Sequence, residues 1–77
     1  MSMTISNGRE PFYVWTVFEN PQDYLGLFVA RRFNFDQPTG DVRLATTLDA
    51  IRAAIPQGLY RLERNPLDDR CVVESWV

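Results

Sequence analysis

From Phe12 to Phe18 the run Phe-Tyr-Val-Trp-Thr-Val-Phe is aromatic and β-branched, with Pro11 before it and Glu19-Asn20-Pro21 after it. That pattern predicts a first strand bounded by turn chemistry. Both parities are apolar, Phe12, Val14 and Phe18 on one side and Tyr13, Trp15 and Val17 on the other, so the strand is expected at the centre of a sheet, covered on both faces. Asn20-Pro21-Gln22-Asp23 predicts a turn, with one helical turn through Tyr24 closed by Gly26. Leu27 to Phe35 alternates and predicts a second strand antiparallel to the first. One register points Phe28 and Ala30 inward; the other points Leu27, Val29, Phe33 and Phe35 inward and carries Arg31 along, which then needs a carboxylate or a rim position. The second register is preferred as the larger apolar set. Asp36 to Asp41, with Pro38 and Gly40, predicts the next reversal, and Val42 to Ala45 a short third strand.

Thr46-Thr47-Leu48-Asp49 offers a hydroxyl N-cap with a nearby carboxylate, and a helix from Thr47 to about Ile55 follows. Leu48, Ile51 and Ile55, with Ala54, are spaced to share one face. Pro56-Gln57-Gly58 ends the helix, Leu59 to Glu63 is open between extended chain and loop, and Asn65-Pro66-Leu67-Asp68-Asp69 predicts another turn. Cys71 to Val77 alternates and predicts a terminal strand able to pair with the first or second. The architecture these elements support is an α+β domain: a small antiparallel sheet of about three strands, with one main helix and short helical turns packed around it. Residues 1 to 10 read as a flexible N-terminal tail and residues 11 to 77 as the single domain.

The chain has 77 residues, near the lower size limit for an unassisted core. It contains no histidine and no lysine, its eight basic side chains all being arginine. Imidazole bases, histidine-ligated metals, Schiff-base lysines and P-loop lysines are therefore excluded, no cofactor or metal is expected, and the chain reads as non-enzymatic. Ten acids against eight arginines give a net charge of −2, which disfavours direct binding to nucleic acid or to an anionic membrane. No stretch is long and apolar enough to span a bilayer, and the N-terminus lacks a secretion-signal pattern, so a bacterial cytoplasm is the expected location.

Two groups of side chains are candidates for binding a protein partner. Glu63, Asp68, Asp69 and Glu74 concentrate acid in the C-terminal third, and spaced carboxylates can occupy a groove built for DNA phosphates. Aromatic residues make up 13% of the chain, more than so small a core usually hides, and Tyr13, Trp15 and Trp76 are candidate interface anchors. Cys71 is the lone cysteine; on a terminal strand taken to be a sheet edge it is a candidate for an intermolecular disulfide and a homodimer, and Arg70 beside it favours the thiolate. Arg31, Arg32, Arg61 and Arg64 are expected in ion pairs on the sheet surface.

Five strings, Pro11 to Phe18, Phe28 to Phe33, Pro38 to Asp41, Thr47 to Arg52 and Val72 to Trp76, together resemble a group of short proteobacterial proteins. Within it the likeness is to an anti-CRISPR protein of Rhodobacter directed at the type I-C system, and it spans residues 11 to 77. The resemblance implies a small α+β protein that binds the type I-C surveillance complex, Cascade, and blocks target DNA, by mimicry of DNA charge. The alternative is a non-enzymatic interaction module for an unrelated bacterial host protein.

Overall fold

The computed structural model describes residues 10 to 77; the expectation of a flexible tail over 1 to 10 lies, Glu10 apart, outside the described residues. Five strands and one helix follow in the order β1 (Tyr13–Glu19), β2 (Phe28–Asn34), β3 (Gln37–Ala45), α1 (Leu48–Ala54), β4 (Arg61–Glu63) and β5 (Val72–Trp76). They form one antiparallel sheet of order β3-β2-β1-β5-β4. The α+β class stands, with five strands rather than about three. The two extra pairings come from the ambiguous segment after the helix and from the lengthening of β3, neither of which has a strong apolar alternation of its own.

β1 is central, as its two apolar parities require, and its two faces are covered differently. Trp15 and Val17 point to the helical side and form the core with Ala30, Ile51 and Ile55. Helix α1 has only seven residues, too short to persist alone, and is held by Ile51 and Ile55 against this face. Thr47 caps it, its hydroxyl accepting from the Ala50 amide at 3.1 Å. Ala54 is exposed, outside the apolar stripe expected for it.

The register of β2 is the reverse of the preferred one. Val17 lies opposite Ala30 and Glu19 opposite Phe28, so the smaller set, Phe28 and Ala30, faces the helix. Val29 is opposite Phe18 on the other face and is nonetheless fully buried. The reason is the connection between β1 and β2. Pro21 is buried, and Asp23 forms an ion pair with Arg31 while Tyr24 lies 5.8 Å from the same guanidinium, so this loop folds over the second face. Arg31 thus has the carboxylate its position demands.

The reversal after β2 occurs earlier than expected. Phe35 and Asp36 alone connect β2 to β3, and Phe35 adopts φ 55°. Pro38 pairs with Phe33 within β3, and Thr39 to Asp41 form an irregularity opposite Arg32, where Gly40 takes φ 93° and Asp41 pairs with Arg32. The Thr39 hydroxyl donates to the Arg32 carbonyl at 3.1 Å, closing this bulge from within.

Loss of the helix cap gives a direct test of how α1 is held. Thr47→Ala should destabilise the domain by about 1 kcal/mol, and Thr47→Ser should retain most of that stability. Thermal denaturation followed by circular dichroism measures both.

Candidate partner-binding surface

The four acids singled out by the sequence do not form one surface. Glu74 is completely buried, on the helical face of the sheet. Its Oε2 accepts from Arg52 Nε at 2.9 Å and from Trp76 Nε1 at 2.8 Å, while Oε1 accepts from Arg52 Nη2 at 2.7 Å and Arg61 Nε at 3.0 Å. The expectation that Glu74 presents charge to a partner is corrected by this geometry: two guanidiniums and an indole fill its acceptor positions. The paired Arg52 guanidinium is the main cause of a Glu74 carboxyl held down at about 2, against the opposing effect of burial. Among the described residues every buried side-chain polar atom has a partner.

Glu63, Asp68 and Asp69 are exposed. Glu63 sits directly across from Glu74 in the β4–β5 register, and the two arginines on Glu74 relieve what would otherwise be a like-charge pair. Asp68 and Asp69 belong to a tightly bonded turn. Asp68 Oδ2 accepts from the Asn65 amide at 2.9 Å, Asp69 Oδ1 from the Cys71 amide at 3.0 Å, and Arg64 donates to both aspartate carbonyls. The Cys71 amide bond is the leading reason that the Asp69 carboxyl lies below its ordinary range.

Strand order brings further acids to this end of the sheet. Glu19 closes β1, its amide donating to the Cys71 carbonyl at 2.7 Å, and Asp23 and Asp69 line one open depression of about 440 Å³ beside Cys71. Glu19 and Asp23 near the first turn are natural companions of the C-terminal acids, but Glu19 and Asp69 are fifty residues apart and only the β1–β5 pairing brings them to the same end of the sheet.

The arginines are distributed differently. Arg31 and Arg32 pair with Asp23 and Asp41, Arg52 and Arg61 with Glu74, and the Arg43 guanidinium lies 5.2 Å from the Trp15 ring centroid. Most of the positive charge is thereby committed within the fold. Among the described residues no ion pair engages Glu19, Glu63, Asp68 or Asp69.

The aromatic candidates also separate. Trp15 is 4% exposed and belongs to the core, so it is no interface anchor; Trp76 is half-buried with its indole N–H committed to Glu74. Tyr13 is exposed, with Arg32 stacked 4.1 Å from its ring centroid. Phe12, one of the surplus aromatics, is exposed as well, and Phe35 and Tyr60 are exposed aromatics that the sequence reading left out, as are Leu25 and Leu67 in the loops. Their apolar character signalled burial, and only their place at loop tips and strand ends exposes them.

Cys71 lies in the turn before β5, half-buried, and β5 is flanked by β1 and β4. The edge-strand position expected for it is therefore corrected: the sheet edges are β3 and β4. Burial raises the Cys71 thiol and Asp69 adds to the effect, outweighing the opposing influence of Arg70. Among the described residues no cluster of three acids or cysteines is placed to hold a metal ion, and no helix is long and apolar enough to cross a membrane.

Comparison with protein-family models, with curated proteins and with solved structures finds no match to this chain.

The buried carboxylate makes a pH prediction. Its folded-state value near 2 lies below the ordinary 4.5, so its stabilisation is fully present above pH 4.5 and is lost as pH falls toward 2. Glu74→Gln should cost about 3 kcal/mol at neutral pH and flatten the acid limb of the stability curve across that window. Urea denaturation at a series of pH values measures both effects.

Proposed function

We propose that this chain is a non-enzymatic inhibitor of CRISPR interference that binds the type I-C Cascade complex in the host cytoplasm and obstructs its target DNA. Glu63, Asp68 and Asp69, together with Glu19, meet basic residues of the DNA channel, and the chain itself contacts neither nucleic acid nor membrane. The observation that carries this reading is the asymmetric use of charge. Arg31, Arg32, Arg52 and Arg61 are taken by internal ion pairs, whereas these four acids have none among the described residues. A surface acidic at one end suits a groove lined with arginine and lysine, although a net charge of −2 makes the mimicry of DNA local rather than global. The likeness of residues 11 to 77 to a type I-C anti-CRISPR protein supplies the identity of the partner.

Size-exclusion chromatography with purified type I-C Cascade tests the proposal. Co-elution with the free complex, lost when the complex is preloaded with target duplex, is the expected result. The triple variant Glu63→Gln, Asp68→Asn, Asp69→Asn removes charge while keeping acceptors for the Asn65 and Cys71 amides, and should weaken binding at least tenfold with little change in melting temperature. Failure to co-elute with either form overturns the proposal and favours an unrelated host protein docking on exposed aromatics such as Tyr13.

A homodimer bridged by Cys71 belongs to the same proposal. The thiol borders an open depression, which leaves it within reach of a second copy, but its raised pKa keeps little of it as the attacking thiolate at neutral pH. Non-reducing gels should show a dimer band that grows from pH 7 to pH 9 and vanishes with reductant or in Cys71→Ser. A monomer band under every condition refutes the bridge.

A further inference from the structure

Among the described residues the sheet has two edges, β3 and β4, and they are built differently. β3 interrupts itself: Pro38 has no N–H to donate, and Gly40 at φ 93° lies in the irregularity opposite Arg32, features that keep a further strand from pairing along it. β4 contains no proline, glycine or bulge. Just before it, Tyr60 and Val77 exchange both backbone bonds, at 2.7 and 2.9 Å. By the alternation of an antiparallel ladder Leu62 meets Ser75 in the same way, so Arg61 and Glu63 turn their N–H and C=O groups away from β5, to the side where no described strand lies.

The side chains along this edge complement themselves. Arg61 and Glu63 project to the helical face, where Arg61 gives its Nε to Glu74 at 3.0 Å and, among the described residues, keeps its terminal amino groups out of any hydrogen bond. Glu63 is in no ion pair there. Leu62 lies on the other face and is 49% exposed, with Tyr60 beside it 79% exposed. An antiparallel copy of β4 centred on Leu62 sets Arg61 opposite Glu63, Glu63 opposite Arg61 and Leu62 against Leu62. The residues so opposed are the ones whose backbone groups point outward, so the ladder bonds and the charge pairs form in a single register. A shift of one residue sets Leu62 across from a charge, and a parallel strand sets like charges side by side. The strand this edge accepts, read in the opposite direction, is its own Arg-Leu-Glu.

We infer that two copies of this chain pair β4 to β4 about a two-fold axis through Leu62, joining their sheets into one. The contact closes on itself, because each copy has one such edge and uses it. With three residues in β4 the interface is small, and the dimer is weak and reversible. It requires neither Cys71 nor Cascade. Glu63 alone is shared with the acids proposed to meet the DNA channel, and its carboxylate serves one of the two contacts at a time.

The test uses the full-length Cys71→Ser protein without Cascade, so that neither a disulfide nor the complex enters the result. Over a hundredfold dilution series, sedimentation should show a monomer and dimer in exchange, and NMR should show the amides of residues 60 to 64 moving with concentration. In a mixture of isotope-labelled and unlabelled protein, the Leu62 methyl groups of one copy should show contacts to those of the other. Glu63→Gln should weaken dimerisation about two- to tenfold. Leu62→Lys sets two ammonium groups across the axis and Glu63→Arg faces Arg61; each should abolish the dimer, and because both positions are exposed the monomers should keep the parent circular dichroism spectrum. A monomer at every concentration, concentration-dependent shifts confined to β3 or to the turn around Cys71, or a dimer that survives Leu62→Lys or Glu63→Arg overturns the inference.

Discussion

A carboxylate sealed from water in a domain of this size demands a complete set of partners, and the arrangement around Glu74 follows from that demand. Four hydrogen bonds reach its two oxygens, from Arg52 on α1, Arg61 on β4 and Trp76 on β5. Removing a charge from water costs several kcal/mol unless its lone pairs are satisfied, so any packing that separated these elements would strand the charge. The same cluster therefore fixes where the helix crosses the sheet and where the last strand pair lies. β4 depends on it most: it has three residues, all exposed, and its backbone pairing to β5 is supplemented by the Arg61–Glu74 bridge and by the reciprocal Tyr60–Val77 bonds.

Charge placement on the outside is a consequence of this inner chemistry. Arginine serves as the structural cation throughout, spanning from β2 to the β1–β2 loop and the β3 bulge, and from α1 and β4 into the core. With four arginines so engaged, the loops at one end of the sheet present a concentration of carboxylates to solvent, while the hairpin at the other end presents rings together with Asp36. The two ends thus differ in chemistry although the net charge is small. A small domain with little room for a pocket can gain specificity from such polarity, because each end complements a different kind of surface.

Backbone conformation adds to the distinction. Asn20 and Phe35 both take positive φ, yet for different reasons. The Asn20 side chain accepts from the Gly26 amide at 2.7 Å and closes the β1–β2 loop, a local use for which asparagine is well suited. Phe35 has a backbone bond from its amide to the Phe12 carbonyl at 2.8 Å, which secures the hairpin end, and its half-exposed ring lies beside that of Phe12.

Local chemistry determined a good part of this protein. The aromatic and β-branched run at Phe12 to Phe18 specified a central strand, Thr47 specified the start of the helix, and the absence of histidine and lysine excluded whole classes of catalyst. These features act through neighbours in the chain, so they are legible without the fold. Tertiary structure decided the rest. Whether Phe28 or Val29 faced the helix depended on a loop folding over the second sheet face, and the hairpin turned at Phe35 and Asp36 because pairing with β3 outweighed the turn preference of Pro38 and Gly40. Glu74 looked like one acid among several until β1, β4, β5 and α1 converged on it. Burial and partners at long sequence separation are properties of the assembled sheet, and no local pattern encodes which carboxylate will be enclosed and which will face a partner.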